Sequence, residues 1–486
     1  MDKKIHLSDI VNLLNFIILF LTLICFVGIE NHPYIDINVV IASSLIHAQL
    51  YFFLRKKNRK PDPFLIILSI VVLLFYSSRI LTLLVDEFTL SLVFSRSKGE
   101  YIGPDEFFEF LIYLHLCLWM IFLGLKLADK KYTTKINSKN SLITKKKYKR
   151  LLFLSFVCLV YFTFGTFAFY TYSQLGILTG LLSGFLNYEV FVILITIMIF
   201  YYKDGIPKKY NRLAIFILLM FFFIKSINGE SGPILRIGFP FLFTLLMIKQ
   251  IKLKISVLLI VSFLIVFTGV FGTLLKFSNK KIDTEVMSNF TQLNSDQYKI
   301  IFSQIFARAA FLDFSIELVN NKEYERIINL PRYGKSIIDA YTPGFDVFDE
   351  PLTGHALRAV YLPGFSSKPT RKYVSENYHS DQINIFSEYY LLFGKYFSLL
   401  IFIISAFLFK KTYNYFTIIV KNKLVGLLVG GIILNIYWVW LRSFGMDWII
   451  ADLFQNFIFP FTLIYLGTRI TLKYRENIKQ AHKNFN

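Results

Sequence analysis

The stretch NGESGPILRIGFPF, Asn228 to Phe241, sets Glu230 and Arg236 beside a turn bearing Gly229, Gly232 and Pro233, between two long apolar segments. A guanidinium next to such a turn at a helix start makes a seat for an anion, because backbone N–H groups are left unpaired there and the helix end favours negative charge. Glu230 would either orient Arg236 or accept a proton. Other costly charges gather at comparable places. Arg442 and Asp447 flank a short turn, Arg308 lies in an amphipathic stretch, and Arg79 falls inside the end of an apolar run with Asp86 and Glu87 just beyond. His379, Asp381 and Glu388 lead into another apolar run and are candidates for taking a proton. Several arginines around one cavity suit a phosphate or pyrophosphate, since guanidinium offers a fixed fork of donors and stays charged. Each also has a structural alternative: Arg442 as a snorkelling residue with Asp447 as its local partner, Arg79 as a packing charge paired with an acidic neighbour, Arg308 as an exposed helix residue.

No metal or cofactor is implied. The sequence holds no HExxH, no exposed Asp-x-Asp pair, no P-loop and no dinucleotide fingerprint, and its seven His residues are isolated from one another. Cys25, Cys117 and Cys158 all fall inside apolar runs, which excludes a disulfide framework in an exposed loop.

The elements that must position these charges are membrane helices. The chain has 486 residues, 55% of them hydrophobic, with 54 Phe and 29 Tyr, and its mean hydropathy is +0.53. Such a composition belongs in a bilayer, where a helix satisfies its own backbone hydrogen bonds over about 20 apolar residues. The expected fold class is an all-α polytopic integral membrane protein with about 12 transmembrane helices. The candidate spans lie at 10–29, 35–54, 64–85, 107–127, 151–172, 187–202, 213–227, 234–248, 255–275, 383–409, 424–441 and 448–471. The first is read as a retained span, since no small-residue cleavage site follows it.

This divides the chain into a nine-span N-terminal bundle over 1–275, a large loop over 276–380, three C-terminal spans over 381–471 and a tail over 472–486. Placing the N-terminus inside puts 32 Lys and Arg residues on the short inner segments and tail, whereas the short outer connections carry only Arg96, Lys98 and Arg442. By the positive-inside rule both termini are cytoplasmic. The net charge of +21 is therefore a topology signal. No nucleic-acid partner is expected, because the basic residues form neither a stripe nor a binding motif.

The 105-residue loop is then on the outer side. Loops of that length are usually functional or disordered. Here Ile301, Ile305, Leu312, Ile316 and Val319 recur at helical spacing, while Pro331, Pro343, Pro351, Pro363 and Pro369 punctuate the second half into an irregular covering segment.

This layout, the turn from Gly229 to Arg236, the segments IFARAAFLDFS and INLPRYGKS around Arg308 and Arg332, and the stretch HSDQINIFSEYYLLFGKYFSLL resemble the Wzy-type polymerases of oligosaccharide repeat units, which extend O-antigen and related bacterial surface polysaccharides. The resemblance covers most of the chain by layout. It implies a metal-independent glycosyltransferase of the bacterial inner membrane that moves a growing glycan from undecaprenyl pyrophosphate onto the next lipid-linked unit at the periplasmic face. Its partners would be undecaprenyl-pyrophosphate-linked oligosaccharides, the lipid bilayer and a chain-length regulator protein. In that scheme Arg236, Arg308, His379 and Glu230 are the catalytic candidates, and Arg442, Arg79, Arg332, Arg358, Asp381 and Glu388 bind substrate. A flippase of the same lipid-linked sugar, an O-antigen ligase and a multi-span lipid-phosphate-dependent glycosyltransferase are the alternatives. The sequence departs from the simplest family pattern in having Glu230 and Ser231 in the turn and in lacking paired Arg-rich repeats.

Overall fold

A computed structural model describes residues 4–28, 32–55, 62–85, 103–129, 143–167, 186–202, 206–227, 237–248, 252–254, 311–320, 328–341, 347–350, 384–420, 422–442 and 445–466. Its helices begin where the sequence supplies caps. After α1 (Leu7–Val27), α2 (Ile37–Leu54) starts at Asp36, whose carboxylate accepts the Val39 N–H. Asp62 and a proline at the first helical position start α3 (Pro63–Val72), which runs through one wide turn, Leu73–Ser77, into α4 (Ser78–Val85). Glu106 reaches back to the Gly103 N–H at 2.8 Å to open α5 (Pro104–Leu127). These side chains satisfy donors that a helix start otherwise leaves unpaired.

Then come α6 (Lys145–Phe167), α7 (Tyr188–Phe200), α8 (Lys208–Ile227) and α9 (Phe239–Ile248). The long connection contributes α10 (Phe311–Asn320) and α11 (Leu330–Tyr341). The C-terminal part holds α12 (Ile385–Asn414), α13 (Lys423–Arg442) and α14 (Met446–Asp452). One short antiparallel ribbon, β1 (Lys4–His6) with β2 (Lys252–Lys254), sets Ile5 opposite Leu253.

Among the described residues, six helical stretches are long and apolar enough to cross a membrane: Leu7–Val27, Ile37–Leu54, Pro63–Leu84, Pro104–Leu127, Ile385–Ile419 and Lys423–Arg442. They coincide with spans expected at 10–29, 35–54, 64–85, 107–127, 383–409 and 424–441. The spans expected at 187–202 and 234–248 form apolar helices of 13 and 10 residues, while the one expected at 255–275 lies outside the described residues. A chain with several such helices is a membrane protein of the helical class. Exposed Leu13, Phe16, Phe20 and Ile24 on α1 fit a lipid-facing stripe.

Two apolar clusters form the interior. One gathers α1 to α5 with α12, α13, Phe243 of α9 and Leu312 and Ile316 of α10, and the other gathers α6 to α8 with Leu424, Leu427, Leu428 and Ile432 of α13. Helix α13 thus belongs to both. Gly124 lets α5 meet α12 backbone to backbone, since any Cβ there would collide with the carbonyl oxygen of Ile403.

Helix α12 is broken. Gly394 has φ 75° and ψ 166°, a conformation that a side chain strongly disfavours, so a short first segment, 385–393, precedes the longer run from Lys395. Tyr113 of α5 straddles the break: its hydroxyl donates to the Phe386 carbonyl at 3.3 Å and shares a hydrogen bond with Ser398 Oγ at 2.8 Å.

Candidate functional site

The first segment of α12 is a polar element in an apolar setting. Asn384 caps it by accepting the Ser387 N–H at 2.9 Å, and Asn384, Ser387 and Glu388 are all buried. Glu388 has no exposed surface, and its Oε1 accepts the backbone N–H of Met446, the first residue of α14, at 2.6 Å. The turn before α14 is made possible by Gly445, which has φ 110°. Asp447, the next residue, is also fully buried, and its Oδ2 accepts from Ser336 Oγ at 2.8 Å. A short, charge-assisted pair of this kind is worth about twice a neutral one.

Ser336 belongs to α11, so this bond ties the long connection to the bundle. The same helix organises the chain beyond it. Asp339 is fully buried and accepts the backbone N–H groups of Phe348 and Glu350 at 3.0 and 2.8 Å, while Arg332 Nε donates to Glu350 Oε2 at 2.8 Å. The other loop helix, α10, is fixed by a second charge. Arg79 Nε donates to both oxygens of Asp313, at 3.1 and 2.9 Å, and Nη2 donates to Oδ2; the Arg79 side chain has no exposed surface.

The connection between α1 and α2 closes this corner. His32 Nδ1 accepts the Tyr34 and Ile35 N–H groups at 3.2 and 3.1 Å, which leaves Nε2 to carry the proton and donate to the Leu83 carbonyl at 3.1 Å. Burial lowers the His32 pKa below its usual value against the raising effect of the Leu83 bond. Burial, and next the Asp313 carboxylate, pushes the Tyr34 phenol up.

At the opposite end of α12 the charges are arranged differently. Lys410 Nζ lies 2.7 Å from Asp62 Oδ2 and 3.6 Å from Asp129 Oδ1, and Asn414 Nδ2 donates to the Ala128 carbonyl at 3.3 Å. These contacts join the start of α3 and the end of α5 to the end of α12.

Five of the residues singled out in the sequence are placed here, Asp447 as the acceptor of the Ser336 hydroxyl. Glu388 lies at the head of α12, Arg442 is half-buried at the end of α13, and Arg79 and Arg332 are each turned onto a carboxylate of the long connection. Glu230, Arg236, Arg308, Arg358, His379 and Asp381 lie outside the described residues. Asp313 and Asp339 are additions. Asp313 was detectable as an acid beside Leu312 on the apolar stripe of the loop helix, where a carboxylate is unfavourable without a buried cation. Asp339 had no comparable signal, because its partners are backbone groups.

The fold and this polar head define a class: a helical membrane protein whose long connection is anchored to one end of its bundle. Comparison with protein-family models, curated proteins and solved structures finds no match for the chain.

Proposed function

We propose that this protein polymerises lipid-linked oligosaccharide repeat units at the outer face of a bacterial inner membrane, with both termini cytoplasmic. The observation that carries the reading is the attachment of both described loop helices, through Arg79–Asp313 and Ser336–Asp447, to the head of the bundle marked by Glu388. A covered chamber at a membrane surface is what transfer from a lipid pyrophosphate requires, because the head group lies at that surface and water must be kept from the reacting sugar.

In the reaction, a hydroxyl of the incoming lipid-linked unit attacks the anomeric carbon of the growing glycan. The bond from that carbon to the pyrophosphate oxygen breaks, and undecaprenyl pyrophosphate leaves with the electron pair. Arg236 and Arg308, with Arg442 and Arg358, would hold the diphosphate and stabilise the charge it gains. His379, Asp381 or Glu230 would take the hydroxyl proton. Arg79 and Arg332, held by Asp313 and Glu350, serve the architecture of the cover in this scheme.

Deletion of the gene is expected to leave single repeat units at the cell surface and remove the long chains of the glycan ladder on a gel. Loss of all surface glycan would instead indicate transport of the lipid-linked sugar. Arg236→Ala should reproduce the single-unit pattern at normal protein level, and Arg236→Lys should restore only part of the ladder, because a point charge lacks the donor fork.

A further inference from the structure

A carboxylate acting as general base must present an oxygen to the substrate hydroxyl. Glu388, a carboxylate at the head of the membrane bundle, does something else with Oε1. It caps a neighbouring helix, accepting the first N–H of α14 at 2.6 Å, and has no exposed surface. Its neighbour in the network, Asp447, accepts from the loop helix at 2.8 Å and is equally buried. Met446 and Asp447 are consecutive, so the two bonds form one line: α11 to Asp447, through the start of α14, to Glu388 on the first segment of α12. That segment ends at the Gly394 break, where φ is 75°. Tyr113 holds both sides of the break through Phe386 and Ser398.

Resting on the polymerase reading given above, we propose that Glu388 and Asp447 are positioning residues, not proton acceptors, and that they form a latch coupling the covering helix α11 to the broken head of α12. When α11 is seated, α14 and the 385–393 segment are held in one arrangement. When α11 lifts, Asp447 loses its Ser336 donor, and the segment before Gly394 is released to reorient. The latch thus makes the shape of the chamber depend on whether its cover is in place.

The latch and a base respond oppositely to an amide. Glu388→Gln keeps a carbonyl oxygen that can accept the Met446 N–H but removes basicity, whereas Glu388→Leu keeps the volume and removes the acceptor. The test uses the full-length protein in two measurements: the glycan ladder in a deletion strain complemented with each variant, and hydrogen exchange across 330–341 in protein reconstituted in nanodiscs. Glu388→Gln is expected to retain long chains and to speed exchange in α11 by only about three- to tenfold, since a neutral acceptor keeps roughly half the strength of a charged one. Glu388→Leu and Ser336→Ala should each speed exchange in α11 by about ten- to a hundredfold, the range for losing a hydrogen bond to a charged group.

Loss of long chains in Glu388→Gln with exchange no faster than expected would make Glu388 the base and overturn the proposal. Parent-like exchange in both Glu388→Leu and Ser336→Ala would equally overturn it, and Ser336→Ala keeps that arm available if the Leu variant does not fold. If the parent protein makes no polymer at all, the polymerase reading fails while the exchange measurements still decide whether the latch exists.

Discussion

The two ends of α12 are both held by charges, yet in different ways. At the Lys410 end the partners are Asp62 and Asp129, which belong to the ends of adjoining membrane helices, and Asp129 is 39% exposed on its side chain. At the Glu388 end the buried carboxylates Glu388, Asp447, Asp339 and Asp313 receive their hydrogen bonds within a small region, and two of those bonds cross to helices of the long connection. The Arg79–Asp313 pair joins residues 234 positions apart. The longer Lys410–Asp129 pair, with its exposed carboxylate, is a modest, screened contribution to stability, whereas Lys410–Asp62 is nearly as dry as Arg79–Asp313 and differs in that Asp62 also caps α3. A dry pair recovers little net energy over an apolar replacement but strongly penalises any arrangement in which one partner is missing. One end therefore reads as a clasp between helix ends, and the other as a device that accepts a single seating of the cover.

The contrast is broken most severely by Arg79→Ala, which strands the Asp313 carboxylate in the interior and should cost about 3–5 kcal/mol in thermal melts of detergent-solubilised protein. Arg79→Met combined with Asp313→Leu should recover most of that loss, because removing both charges also removes the desolvation penalty. Lys410→Ala should cost less, on the order of 1–3 kcal/mol, since Asp62 retains its hydrogen bond to the Phe64 N–H at 3.1 Å and Asp129 keeps water. Equal costs at the two ends would erase the distinction.

Gly394→Ala is expected to destabilise by about 1–3 kcal/mol through backbone strain alone, as nothing lies within 4 Å of the position a Cβ would take. The smallest effect is a pH dependence. His32 is lowered in the folded state, so the neutral ring is favoured there; stability from this corner is complete above about pH 6.5 and declines as pH falls below it. His32→Gln should remove that part of the acid sensitivity in melts taken at a series of pH values.

Much of the scaffold was legible beforehand because apolar runs of membrane length leave the backbone few choices. The spans around Ile37–Leu54, Pro104–Leu127 and Lys423–Arg442 could be drawn within a few residues for that reason. Glu388 was legible as a costly charge, but its donor was not: a backbone N–H of residue 446 leaves no trace in residue type. Arg79 was legible as a packing charge in need of an acid, but Asp313 as that acid was not, since side-chain periodicity carries no information about which distant helix a loop segment docks against. The break in α12 was foreshadowed by the glycine in YYLLFGKYF, although a single glycine inside an apolar run is also compatible with an unbroken helix.

The central claim is tested most directly by giving the purified, reconstituted protein a single preparation of undecaprenyl-pyrophosphate-linked repeat unit, without nucleotide or added metal, and resolving the lipid-linked products by size. A ladder of products lengthening by whole repeat units, with release of undecaprenyl pyrophosphate, is expected. Unchanged single units in a preparation that remains folded and correctly oriented would contradict it.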